Sequence, residues 1–236
     1  MNIPAFRPLH ELFQIIYPSL CCHCEEPLMG NESNLCTHCL SQISWCDDNA
    51  SPNNITEQRF YGRIPFEAAT SLMFFHKGNV TQDIIHQIKY HGNIPMAKQY
   101  GQLLANKLQS SGRFNNIDII IPVPLHHRRK RQRGYNQSEI ICKAISSTLQ
   151  KPLMTNILYR KQYTNTQTNK SRLDRLDNMN GVFAIRHSEQ LENKHILLID
   201  DVITTGATII GCYDALRQIT NSKLSIASNI SRLESW

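Results

Sequence analysis

An α/β fold on a mainly parallel sheet, preceded by a small four-cysteine module, is what this sequence predicts, on three observations. Short apolar runs alternate with stretches of helical periodicity, the pattern of strands buried on both faces and joined by helices. One of those runs, Ile196 to Ile199, ends in two carboxylates, Asp200 and Asp201, followed by the turn Thr204-Thr-Gly-Ala-Thr208. Six of the eight cysteines fall between positions 21 and 46.

Taken in order, residues 1–18 read as a short helix stopped by Pro18. Phe6, Leu9, Phe13 and Ile16 lie on one stripe of it, a core-packing face with a membrane anchor as the alternative. Residues 20–46 hold the cysteine module. Residues 47–58 are polar and rich in turn formers, and so are expected to be a linker. The domain plan is therefore 1–46, linker 47–58, and a large domain over 59–236. Within that domain, 66–75 reads as a strand, and 79–90 and 95–109 as helices with apolar positions at Ile84, Ile85, Ile88 and at Tyr100, Leu103, Leu104, Leu108. A second buried strand over 118–123 leads into a polar, basic loop and a helix over 136–149. A strand is expected over 153–158, a long mobile loop over 160–181, and a short strand over 182–185. After the strand ending in the two acids come a helix over 207–219, with Ile209, Ile210, Tyr213 and Leu216 inward, and a last strand over 223–230.

Composition narrows the class. The 236 residues are 41% hydrophobic, enough for one large core beside a small module. No apolar run approaches the ~18 residues needed to cross a bilayer, and Arg7, His10 and Glu11 interrupt the N-terminus, so a cytoplasmic location without a membrane span is expected. The chain has neither a Gly-x4-Gly-Lys-[Ser/Thr] P-loop nor a Gly-x-Gly-x-x-Gly dinucleotide fingerprint. Its net charge is +6, and Arg128, Arg129, Lys130, Arg131 and Arg133 sit in one short stretch, so the basic excess is local.

Cysteine pairing in a reducing compartment points to metal rather than disulfides. Cys21-x2-Cys24 and Cys36-x2-Cys39, eleven residues apart, can close a tetrahedral thiolate site of the kind that favours Zn²⁺ or iron. With four closed ligands the site is structural. So small a module would draw much of its stability from the metal. Cys22, His23, His38 and Cys46 are substitute ligands, and four unligated surface thiols are the plain alternative.

Asp200 and Asp201 emerge at the carboxyl end of a parallel strand, where open α/β sheets bind ligands. Thr204, Thr205, Gly206, Ala207 and Thr208 then open a helix whose free N–H groups attract phosphate. Acids beside a phosphate cradle suit a sugar phosphate: the acids take ribose hydroxyls, or waters on Mg²⁺, and the cradle takes the 5′-phosphate. An ordinary capped strand-turn-helix is the alternative. The segment resembles the loop by which type I phosphoribosyltransferases bind 5-phosphoribosyl 1-pyrophosphate (PRPP). Two other segments bear on it. Lys89-Tyr90-His91-Gly92 follows a helix, and on spacing alone a plain basic helix stop is the simpler reading. The cluster Arg128, Arg129, Lys130, Arg131 and Arg133 follows a buried strand, which places it on the rim with the acids. There it suits a polyphosphate, a nucleic-acid backbone or a plain solvated face.

These segments together, with Val123 through Gln137 and a run containing Arg160, Thr164, Gln167, Arg172, Arg175 and Asn178 in order, resemble the ComF family over residues 20–232. That family includes competence proteins that act in DNA uptake and joins a four-cysteine module to a type I phosphoribosyltransferase domain. The resemblance implies a structural zinc on Cys21, Cys24, Cys36 and Cys39, and PRPP with Mg²⁺ on Asp200, Asp201 and the threonine turn. It also implies a pyrophosphate loop from Lys89 to Gly92, and a flexible loop over 160–178 that closes on the site. Asp200, Asp201 and Lys89 would carry any catalysis. The chain departs from many relatives in lacking a second cysteine knuckle, of which only Cys46 remains, and in lacking a Gly after Cys24 and Cys39. Two functions follow: a DNA-uptake factor that handles single-stranded DNA with other uptake proteins, or a working Mg²⁺-dependent transferase acting on a base or other small acceptor.

Overall fold

The structure, a computed structural model, describes residues 18–48, 50–161 and 181–232. The expected N-terminal helix, with Phe6, Leu9, Phe13 and Ile16, therefore lies outside the described residues. So do Thr164, Gln167, Arg172, Arg175 and Asn178.

The elements are α1 (Thr37–Ser41), α2 (Ile55–Gln58), β1 (Ala68–Phe75), α3 (Val80–Tyr90), α4 (Ile94–Ser110), β2 (Ile119–Pro122), α5 (His127–Arg133), α6 (Gln137–Leu149), β3 (Leu158–Arg160), β4 (Phe183–Ile185), β5 (His195–Ile203), α7 (Ala207–Leu216) and β6 (Lys223–Arg232). Four strands form a parallel sheet in the order β1-β6-β5-β2, with Ile196 opposite Ile119 and Leu224. Because the strands are parallel, their carboxyl ends share one rim. There the chain leaves Pro122 for α5 and leaves Ile203 for α7.

Alternation along β5 splits the core. Leu197 and Ile199 pack with Ile84, Ile88, Leu104 and Ile141 of α3, α4 and α6. Ile196 and Leu198 pack with Ile209, Cys212 and Leu216 of α7. Strands flanked on both edges and covered on both faces have no solvent side to mark with polar residues, which is why β5 reads as an unbroken apolar run. Beyond that run the same alternation places Asp201 on the α3 side.

The cysteine module covers the outer edge of β1. Trp45 bridges Met73 antiparallel, the Cys46 N–H donates to Leu72 O at 3.0 Å, and the Phe74 N–H donates to Ser44 O at 2.8 Å. An exposed sheet edge is thereby closed.

Three expectations are corrected. Residues 47–58 do not form a passive linker: Asn54 caps α2 through the N–H groups of Thr56 and Glu57, and both of those residues are buried. Glu57 pairs with Arg113 at 2.6 Å and accepts the Ala69 N–H at 3.2 Å. These polar residues act as satisfied interior groups, a use that composition does not reveal. The basic loop is the helix α5, capped by His126 at its start and stopped at Gly134 with φ +81°. Arg, Lys and Gln are good helix formers, and local repulsion did not outweigh that. The strand expected over 153–158 shrinks to a single bridge from Leu153 to Ile120. The true strand β3 begins at Leu158 and pairs antiparallel with β4.

Candidate functional site

Asp200 is buried; the Ser138 hydroxyl, at the start of α6, donates to its Oδ1 at 3.3 Å, and the Asp201 N–H donates to the same oxygen at 2.9 Å. Burial pushes the Asp200 carboxyl up to about 8, and the charge of Asp201 adds to the rise. Asp201 moves the other way. Burial opposes its ionisation too, but the ammonium of Lys89, 3.0 Å from Oδ2, outweighs it and holds this carboxyl below the usual range. The pair is therefore one proton-bearing acid beside one carboxylate, a division set by which of them faces Lys89.

Lys89 stands in the last turn of α3, and Gly92 follows with φ +66°. The N–H groups of His91 and Asn93 both donate to Gln87 O at 3.2 Å, the closure of a glycine-ended helix. The helix stop and the site contact are thus one feature: the stop aims Lys89 at the rim. Tyr90 is 64% exposed, with the Arg133 guanidinium 5.3 Å from its ring centre and the His86 ring at 4.7 Å. His91 is exposed. Tyr135 donates its hydroxyl proton to Ile88 O, and Asn136 Nδ2 donates to Val123 O at 3.1 Å. Together these bonds tie the basic helix to both the α3 stop and the β2 end.

In α5, Arg128, Lys130 and Arg131 are exposed and Arg129 and Arg133 half-buried. Lys130 lies 3.5 Å from Glu139, and Arg133 donates to Gln137 Oε1 at 3.1 Å. Burial and the neighbouring charge of Arg129 lower the Arg160 pKa, while Asp200 raises it, which places Arg160 near both.

Thr204 to Thr208 form the turn and first helical residues at the rim. Gly206 caps α7 with φ +77° and without a side-chain cap, so the helix keeps free donors at its start. A Cβ on Gly206 would lie 2.8 Å from Phe60 Cε1. Phe60 closely follows α2, and so do two arginines that sequence reasoning missed. Arg59 donates to the Thr204 carbonyl, and Arg63 donates to the Thr205 carbonyl at 2.8 Å. Nothing local in 59–63 signals this role. Ser138 was missed too, although it directly follows the Val123-to-Gln137 segment that was singled out.

Of the sequence-expected residues, the structure brings Lys89, Asp200, Asp201 and the threonine turn to one rim, with Arg160 and the basic helix at its side. The four sulfurs of Cys21, Cys24, Cys36 and Cys39 lie within 4.8 Å of one another, and this cluster could hold a metal ion. The N–H groups of Cys36 and Cys39 donate to Cys21 Sγ and Cys36 Sγ, both at 3.4 Å. The substitutes are engaged elsewhere: His23 with Asp83 at 2.7 Å, His38 with Gln42 at 2.9 Å, and Cys46 with Asp48 at 3.0 Å. Cys22 packs against the core.

A family model described as a phosphoribosyl transferase domain matches residues 135–236, from the Tyr135 turn through the last strand. The acid pair and the threonine turn lie within the matched residues, and the parallel sheet is that of a type I phosphoribosyltransferase fold. Over 215 residues, spanning 87% of this chain and 94% of the relative, the sequence is 27% identical to Competence protein F of Haemophilus influenzae. It is 31% identical over 129 residues to DNA utilization protein YhgH of Escherichia coli K12, a match spanning 53% of this chain and only 56% of that one. It is 28% identical over 91 residues to Competence protein ComFC of Bacillus subtilis, 39% of this chain and 35% of that one. Among solved structures, the purine phosphoribosyltransferase of Pyrococcus horikoshii aligns with a TM-score of 0.38 and 20% identity, over 59% of this chain and 85% of that one. These likenesses support a ComF family protein with a phosphoribosyltransferase domain. Among the described residues no helix is long and apolar enough to cross a membrane.

Proposed function

We propose that this protein is a ComF-type factor of DNA uptake that handles single-stranded DNA and binds PRPP or a related sugar phosphate at the carboxyl rim. The observation that carries the reading is the meeting of Lys89 with Asp201 at 3.0 Å, on the rim that also bears the basic helix and the open start of α7. In this reading Thr204 to Thr208 take the 5′-phosphate through N–H groups and hydroxyls. Asp200 and Asp201 take the ribose hydroxyls. Lys89 leaves Asp201 for the pyrophosphate, and Tyr90 to Gly92 shape the loop around it. Mg²⁺ fits the same acids, a hard oxygen donor pair, and when bound it would neutralise pyrophosphate charge. Arg128, Arg129, Lys130, Arg131 and Arg133 track a phosphate backbone, and the exposed ring of Tyr90 offers a base a stacking face.

The cysteine site is assigned to structural Zn²⁺. Ligands at about 2.3 Å in a tetrahedron stand about 3.8 Å apart. Cys24 Sγ and Cys36 Sγ stand 3.7 Å apart. Thiolate ligation of this kind suits a reducing, cytoplasmic setting, and the likeness to Competence protein F supports other DNA-uptake proteins as its partners.

A second reading, turnover, is favoured by the split acid pair. As pyrophosphate leaves C1 of the ribose and positive charge builds on the sugar, the Asp201 carboxylate would be the group that stabilises it.

The test is a PRPP titration with and without Mg²⁺, repeated with a short single-stranded DNA as competitor. Mutual exclusion and steeply salt-sensitive DNA binding are expected. Failure to bind PRPP, or DNA binding indifferent to salt, overturns the reading. Acceptor-dependent pyrophosphate release would separate a transferase from a binder.

A further inference from the structure

The phosphate cradle is braced from behind by a segment that precedes the sheet. Arg63 Nη1 donates to the Thr205 carbonyl at 2.8 Å and to the Arg59 carbonyl at 2.9 Å. Arg59 donates to the carbonyls of Thr204 and Arg232 and, through Nε, to Ser231 Oγ at 3.2 Å. Each arginine thus links the residues around α2 to the turn after β5, and Arg59 adds the end of β6. Phe60, wholly buried between them in sequence, presses its ring edge where a Gly206 side chain would stand.

Peptide geometry turns these carbonyl contacts into a statement about the cradle. In a trans peptide the C=O of one residue and the N–H of the next point in opposite directions. No peptide bond here is cis. Fixing the carbonyls of Thr204 and Thr205 on the arginines therefore turns the N–H groups of Thr205 and Gly206 away from them. Among the described residues neither N–H has a partner. A guanidinium suits this task, since its planar fork can bond two acceptors at once and it stays charged at any physiological pH.

We infer that Arg59 and Arg63 are positioning residues of the phosphate cradle, gripping the carbonyls of Thr204 and Thr205 so that the N–H groups of Thr205 and Gly206 are aimed at the anion before it arrives. Preorganised donors bind without a reorganisation cost at the moment of contact. The inference rests on the reading of the rim as a sugar-phosphate site. It predicts that the two arginines govern one end of the ligand only, the 5′-phosphate, and leave the pyrophosphate end on Lys89 unaffected.

The experiment compares the full-length parent with Arg59→Gln and Arg63→Gln in two measurements. The first is the affinity for ribose 5-phosphate and, separately, for Mg²⁺-pyrophosphate. The second is hydrogen exchange at residues 204–208 without ligand. Expected are a tenfold or greater loss of ribose 5-phosphate affinity, an unchanged pyrophosphate affinity, and faster exchange confined to the turn. If the Gln variants do not fold, Arg59→Lys and Arg63→Lys are read in the same way, with at least a threefold selective loss expected. A parent that binds ribose 5-phosphate and variants that bind it equally well overturn the positioning role alone. A parent that binds neither ligand overturns the site reading, and the inference with it. Equal losses at both ends mark a general structural staple and also overturn it.

Discussion

Lys89 Nζ lies 3.0 Å from Asp201 Oδ2, both side chains about four-fifths buried, and this contact decides which of two adjacent acids is ionised. Asp201 has a cation; Asp200 has a hydroxyl, an N–H and a dry environment. Replacing Lys89 by Met should remove both the pyrophosphate contact and the charge that keeps Asp201 ionised. A loss of Mg²⁺-PRPP affinity of about 10- to 100-fold is expected by calorimetry, in the range of charge-assisted hydrogen bonds. Unchanged affinity would place the pyrophosphate elsewhere.

The raised pKa of Asp200 has a sign that can be measured. The unfolded chain releases this proton in the ordinary aspartate range, whereas the folded protein keeps it to about 8. Between those limits the folded state holds the extra proton. The contribution to stability is therefore full at low pH and is lost as pH rises through about 8. Asp200→Asn, which cannot ionise, should match the parent near pH 4 and exceed it at pH 8.5. The expected gain in Tm is at least about 4 °C. A gap of the same size at both values contradicts the assignment.

Metal removal should reach beyond the cysteine module. His23 bonds Asp83 of α3 at 2.7 Å, and Asn34 accepts from Asn93, beside Gly92, at 2.7 Å. Both contacts start from loops that the cysteine cluster shapes. Cys36→Ser should abolish one bound equivalent of metal by elemental analysis and lower Tm by roughly 5 °C or more, since metal binding is folding energy in so small a module. Retention of the metal would show that another residue completes the site.

Glu57 and Arg113 are 2.6 Å apart, with the Glu57 side chain almost wholly buried. Arg113→Met should strand that carboxylate and cost about 3–5 kcal/mol in urea unfolding. Adding Glu57→Gln should recover part of the loss. A cost under about 1 kcal/mol would mean that the remaining donors, the N–H groups of Asn53 and Ala69 and the Tyr61 hydroxyl, satisfy Glu57 without the arginine.

Much of the sheet was legible because its signals are local. An apolar run closed by Asp200 and Asp201 and followed by Thr204 to Thr208 announces strand, turn and helix within fourteen residues, and paired cysteines announce their cluster by spacing. The errors arose where polar residues serve the interior. Asn54 and Glu57 look like linker residues until Ala69 and Arg113 stand beside them. The cations of α5 look like a loop until His126 and Gly134 delimit a helix.

The order of strands and helices, the paired cysteines and the acidic rim motif were determined by the sequence itself, since each depends on periodicity or on neighbours in the chain. Only the tertiary structure decided that Lys89 meets Asp201, that Ser138 reaches Asp200, and that Arg59 and Arg63 hold the threonine turn. Those relations join residues 62 to 145 positions apart. No local pattern encodes them. They exist because a parallel sheet gathers the ends of separate strands and helices onto one edge.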